Sequence, residues 1–167
     1  MALRNIRIDE DPVLRKKSKE VRKINQRLGI LLEDLAETMY EAPGVGLAAP
    51  QVGILRRVFV YDVGEGLTEM INPEIKAVYD EQVGVEGCLS VPGKYGSVKR
   101  PARVLVEYTD REGTKKHKEA EGLEAVVICH ESDHLDGVLF TDKVEEYLTP
   151  EEVQEMNSSG EADEEIL

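Results

Sequence analysis

An α+β fold is what this sequence predicts, from three observations. Its strand-like runs are short and are joined by turn residues, so neighbouring strands are expected to be antiparallel. Its two long helical patterns are not interleaved with strands in the regular order of βαβ units. The second of those patterns carries two histidines four residues apart, which places both on one face of a helix.

The elements follow in chain order. Apolar residues at 24, 28, 31, 32, 35 and 39 have the spacing of an amphipathic helix over Ile24 to Met39, which Pro43-Gly44 ends. Arg57 to Asp62 reads as a strand, and Asn72-Pro73 opens another that runs through Ile75 and Val78. Arg103 to Thr109 is a third, and the turn Asp110-Arg111-Glu112-Gly113 sends the chain back along Lys115 to Glu121 as the return arm of a hairpin. Leu123 to Asp136 is the second helix, with Leu123, Val126, Val127, His130 and His134 on one face and Gly137 as its terminator. By propensity Val126-Val127-Ile128 suits a strand equally well. Thr149-Pro150-Glu151-Glu152 is a helix start, with a capping residue, proline at the first position and glutamate three residues after the cap. A short helix to about Met156 is expected there, followed by a solvated, partly disordered acidic end.

Composition sets bounds. A chain of 167 residues with 41% hydrophobic content suits one core, and we divide it into a single domain, 1–148, and an acidic tail, 149–167. No apolar run approaches a membrane span, and the first residues lack the apolar core of a secretory signal. The formal charge of −13, the absence of tryptophan and the presence of just two phenylalanines argue against direct nucleic-acid binding. Two cysteines, one of them a candidate ligand, read as metal chemistry in a reducing cytoplasm rather than as a disulfide.

The chemistry-bearing segment is His130-Glu131-Ser132-Asp133-His134. Two histidines on one helical turn can share a divalent ion, and the glutamate beside the first can reach a water on that ion. Two ligands leave the site incomplete, since catalytic ions usually take three. No histidine follows His134, so the best remaining candidate is upstream: Cys88, in Glu86-Gly87-Cys88-Leu89-Ser90. A downstream carboxylate such as Glu145 is the alternative, and would make a zinc endopeptidase; a metal-stabilised protein without a reactive water is a third reading. Gly44-Val45-Gly46-Leu47-Ala48-Ala49-Pro50-Gln51 adds a backbone that a ligand can approach closely, and a polar side chain at its end.

In their order and distances these three segments resemble the signature motifs of the peptide deformylases, and the similarity runs from about Ile6 to Val144. The resemblance implies a peptide-deformylase-like fold, with short antiparallel strands packed around a central metal-binding helix. It implies an enzyme that hydrolyses the N-formyl group from the N-terminal methionine of nascent chains and releases formate. Cys88, His130 and His134 take the place of the metal ligands, and Fe²⁺ is the implied ion, with Zn²⁺, Ni²⁺ or Co²⁺ as substitutes. Glu131 resembles the general base and acid that serves a hydroxide generated at the ion. Gln51 and the backbone N–H of Leu89 correspond to the oxyanion donors, and Val45 and Gly46 to the strand that pairs with the substrate backbone.

The implied partner is the formylmethionyl nascent peptide. Proximity to the ribosome follows, though not through a basic tail, because residues 149–167 contain no lysine or arginine. A cytoplasmic monomer that binds neither nucleic acid nor membrane is expected. Glu86 is a candidate partner for Arg100, Cys129 a core thiol, and His117 an exposed strand residue. The chain departs from the family pattern at Val126, Cys129 and Ser132, positions that bear on packing behind the site.

Overall fold

The computed structural model describes residues 2–159. Helix α1 spans Gln26–Glu41 and begins where the Asn25 side chain accepts a hydrogen bond from Leu28 N at 3.0 Å. It starts two residues later than its apolar spacing suggests, and Ile24 is left outside it and exposed. Its buried stripe includes Leu28, Leu31, Leu32, Leu35 and Met39, and also Asp34 and Thr38. Those two polar groups are satisfied by the N-terminal segment: Ala2 N and Arg4 Nε donate to Asp34, and Arg4 N donates to the Thr38 hydroxyl.

Among the described residues six strands form one antiparallel sheet: β1 Gly46–Ala48, β2 Val58–Tyr61, β3 Thr68–Cys88, β4 Val91–Thr109, β5 Lys115–Glu121 and β6 Val144–Leu148. Their order is β1-β2-β3-β4-β5, with β6 paired to β4. Strand β2 is buried throughout, because its alternate residues serve two layers. Val58 and Val60 pack with the leucines of α1, while Phe59 and Tyr61 pack with helix α2, Gly122–Leu135.

The α+β architecture with an antiparallel sheet is the expected one, and two of its strands, β3 and β4, run to 21 and 19 residues. Asn72-Pro73 does not open a strand but sits within β3, where the register shifts between Ile71 and Glu74. The bulge accommodates a proline that cannot donate to the ladder. Asn72 has φ +50 there, and its side-chain amide bonds both Val21 N and Val21 O at 2.8 Å, in the manner of a paired strand.

Helix α2 follows β5 without a loop and is buried from Ala125 to Glu131, not along one stripe. Strands β1, β2, β4 and β5 and the 3-10 turn Ala49–Val52 pack against it, and no residue from 122 to 135 is fully exposed, so it shows little of a polar face. Its end is fixed by Gly137, at φ +74, where a Cβ would overlap the Arg15 backbone. The last carbonyl, Leu135 O, accepts from Ser18 N at 2.8 Å and Arg57 Nη1 at 3.0 Å. Helix α3, Pro150–Ser159, starts with a reciprocal cap between Thr149 and Glu152. The acidic run expected at 161–165 lies outside the described residues.

Candidate active site

Three elements bring the site together. Strand β3 ends at Cys88, the two-residue turn Leu89-Ser90 follows, and Val91 starts β4 opposite Cys88. Helix α2 supplies His130, Glu131 and His134, and the 3-10 turn Ala49–Val52 after β1 supplies Gln51. One ligand atom from each of Cys88, His130 and His134 lies within 4.8 Å of the others, and all three residues are buried. Cys88 Sγ is 3.4 Å from His134 Nε2. This is the group among the described residues able to hold a metal ion, and it contains the three residues singled out from sequence.

The surroundings suit a cation. Glu86 Oε1 lies 2.9 Å from His130 Nδ1, which directs that nitrogen away from the cluster and leaves Nε2 to face it. Arg100 grips the same carboxylate with Nε and Nη2, both at 2.8 Å, and reaches Asp133 with Nη1 at 2.7 Å. The Glu86–Arg100 pairing expected from the sequence is present, and His130 and Asp133 join it through contacts that no local pattern marks. Burial works against the Glu86 charge, but Arg100 and His130 outweigh it and hold its carboxyl down at about 2. Burial likewise opposes a charge on His130, yet hydrogen bonds to Cys88 and Glu86 pull it above its ordinary value. A divalent ion would take the place of the proton that this environment attracts. His134 is pushed well below the usual imidazole range by burial and by the His130 charge, which favours the neutral form that ligates. A thiol and two imidazoles are a donor set for zinc, iron, cobalt or nickel.

Glu131 is placed for proton work. Burial pushes its carboxyl up to about 7; the His130 charge pulls the other way and Glu86 reinforces the rise. Its Oε1 makes no hydrogen bond to the protein. Its Oε2 occupies the space that a side chain at Gly46 would need, 2.6 Å from where a Cβ would stand. Gly46 is therefore a glycine for Glu131's sake as well as for any ligand's.

Strand β1 is an edge of the sheet. Val45 O accepts from Asp62 N at 2.8 Å, and Gly46 stands opposite Tyr61. In an antiparallel ladder that register turns the N–H and C=O of Gly46 away from β2, toward the open edge, while Val45's carbonyl is already committed. Gln51 is 1% exposed, so it is not the surface amide that glutamine usually is. Its Oε1 accepts from Ala48 N at 2.9 Å, and its Nε2 donates to Ser90 Oγ at 3.1 Å and lies 3.6 Å from Cys88 Sγ.

The remaining candidates fall elsewhere. Glu145 is on β6, half exposed and 3.4 Å from Lys99, and takes no part in the cluster. His117 is exposed and paired with Glu107. Cys129 is buried, its thiol pushed up to about 11 by burial, and it packs among the core residues between sheet and α2. Ser90 and Phe140 also touch residues of the site. Phe140 stacks on the His130 ring with centroids 6.1 Å apart; Ser90 lies within the Cys88 motif, but nothing local announces its bond to Gln51.

A buried Cys-His-His cluster with a near-neutral glutamate at its side defines a metal-dependent hydrolase. Residues 3–149 match the family described as polypeptide deformylase. The peptide deformylase of Caldicellulosiruptor bescii is 56% identical over 160 residues, 96% of each chain. Among solved structures, the Thermotoga maritima peptide deformylase superposes with a TM-score of 0.85 at 46% identity, covering 86% of this chain and 99% of that one. A peptide deformylase from Acinetobacter baumannii bound to Met-Ala-Ser does so at 0.82 and 30%, covering 86% and 99%. The chain belongs to the polypeptide deformylase family, enzymes that remove the N-formyl group from the methionine of nascent peptides.

Proposed function

We propose that this chain carries out deformylation with the residues described above, in one catalytic unit, 1–148, to which the acidic segment 149–167 is appended. The observation that carries the reading is the buried Cys88-His130-His134 cluster beside a glutamate whose Oε1 has no protein partner. When bound, a divalent ion supplies Lewis acidity that makes water a nucleophile at neutral pH. Cys88, His130 and His134 hold it, and we assign Fe²⁺ as the native ion, with nickel, cobalt and zinc as substitutes.

Glu131 Oε1 takes the proton of the attacking water and returns it to the departing methionine nitrogen, so that formate and a free amine result. A carboxyl near 7 can do both. The formyl oxygen gains negative charge as the water adds, and the Gln51 Nε2 and Leu89 N–H groups donate to it there. Gly46 pairs with the peptide backbone as an added strand, with Val45 beside it at the sheet edge. The Met-Ala-Ser held by the Acinetobacter relative has the form of a deformylated product, which supports a peptide as the ligand here.

We place the enzyme in the cytoplasm as a monomer, near the ribosome through its substrate and not through direct nucleic-acid binding. No helix among the described residues is long and apolar enough to cross a membrane. Formate release from a formylmethionyl dipeptide, measured with metal content per chain, tests the proposal. Stoichiometric metal with formate release supports it. Casein cleavage without deformylation would replace it with an endopeptidase, and neither activity from fully metallated protein would leave a metal-stabilised protein.

A further inference from the structure

A glutamine assigned to a developing oxyanion has a problem of orientation, because its two amide ends are nearly the same shape and just one of them donates. If the amide turned over, Oε1 would face the anion and repel it. In this fold both ends are held. Ala48 N–H, a fixed backbone donor, takes Oε1 at 2.9 Å. Ser90 Oγ, on the opposite side, accepts from Nε2 at 3.1 Å. Nε2 has two hydrogens, so one is spent on Ser90 and the other is directed at Cys88 Sγ, 3.6 Å away, on the side where the metal-binding cluster lies.

Ser90 is itself fixed. It is fully buried, it sits in the tight turn between β3 and β4, and its carbonyl accepts from Asp9 N at 2.7 Å. A buried hydroxyl on a two-residue turn has little freedom to follow the amide, so the amide follows it. The turn thus presents Cys88, the Leu89 N–H and the Ser90 hydroxyl in succession.

We propose that Ser90 is a positioning residue that locks the Gln51 amide with one N–H directed at the reacting carbonyl oxygen. This rests on the role assigned to Gln51 above, and the experiment keeps the two apart. Steady-state kinetics on metallated wild type, Ser90→Ala, Gln51→Ala and the double variant form a cycle. Gln51→Ala should lower kcat about 10²–10³-fold as a lost oxyanion donor. Ser90→Ala should lower kcat roughly 10- to 10²-fold with KM little changed, since a misaimed donor still binds substrate. In the Gln51→Ala background the same change should cost less than about 2-fold, because there is no amide left to orient. Ser90→Thr keeps the hydroxyl and should recover most of kcat.

An equal loss from Ser90→Ala with and without Gln51 would show that Ser90 merely supports the turn, and would overturn the inference. Near wild-type kcat in Gln51→Ala would instead overturn the oxyanion role. If Ser90→Ala fails to fold, the wild type still decides: ¹⁵N spectra of the zinc-loaded protein should show a Gln51 side-chain N–H proton that is slow to exchange with solvent. Exchange of both protons as fast as in an exposed glutamine would mean that no lock exists.

Discussion

At position 131 a carboxylate is buried with one oxygen against Gly46 and the other without a protein partner, while the histidines on either side face a shared point. A proton carrier and a ligand can be told apart by substitution. Glu131→Gln preserves size but cannot take a proton from water, so kcat should fall about 10²–10⁴-fold with KM and metal content retained. Kinetics on fully metallated protein check this, and loss of the ion would instead make Glu131 a ligand. The two cysteines divide in the same way. Cys88→Ala should lose metal and activity together, whereas Cys129→Ala should keep both at a stability cost of roughly 1 kcal/mol for a small buried side chain. Metal content per purified chain decides between them, and full occupancy in Cys88→Ala would remove the thiolate from the ligand set.

Between elements, Glu86 of β3 is the tie: it holds Arg100 of β4 and His130 of α2 at once. Glu86→Gln keeps the shape but leaves a buried guanidinium short of a counter-charge and His130 without its strong acceptor. Metal affinity should fall about 10- to 10²-fold. Stability should drop by about 3 kcal/mol, the low end for a broken buried pair because Asp133 still holds Arg100. Chelator competition and thermal unfolding measure the two, and unchanged affinity would show that His130 needs no orienting partner. This tie also marks the limit of what the sequence disclosed. The histidine pair was legible because helical spacing is local, and Cys88 through the chemistry of a missing ligand. The His130–Glu86 contact joins residues 44 apart and leaves no periodic trace. Asn72-Pro73 looked like a strand boundary because a local reading cannot see that Val21 completes the bulge. Helix α2 was equally open to a strand reading at Val126 to Ile128, since a helix with its whole middle stretch buried blurs the amphipathic stripe on which such readings depend.

Across the whole molecule, the N-terminal segment is laid over α1 by Asp34, a carboxylate 3% exposed inside an otherwise apolar stripe. Burial opposes its charge, but the Ala2 N–H and the Arg4 guanidinium outweigh that penalty and hold its carboxyl below the usual range. An acid whose value is lower folded than unfolded binds fewer protons when folded. Its contribution is complete above the unfolded value, about 4, and is lost as pH falls through the lower folded one. Asp34→Asn removes the charge and should lower Tm at neutral pH, where Arg4 loses its ion-pair partner. As pH falls from about 5 toward 3 the gap between wild type and variant should narrow, because protonation makes the wild-type carboxyl as neutral as the amide. The site lies on the face of the sheet away from the cluster on α2, so metal content and deformylation at neutral pH should be unchanged in the folded variant. Thermal unfolding of both proteins across that range, at fixed metal loading, provides the check. A gap that stayed constant down to pH 3 would show that Asp34 stabilises by shape and hydrogen bonding alone, with no part played by its charge.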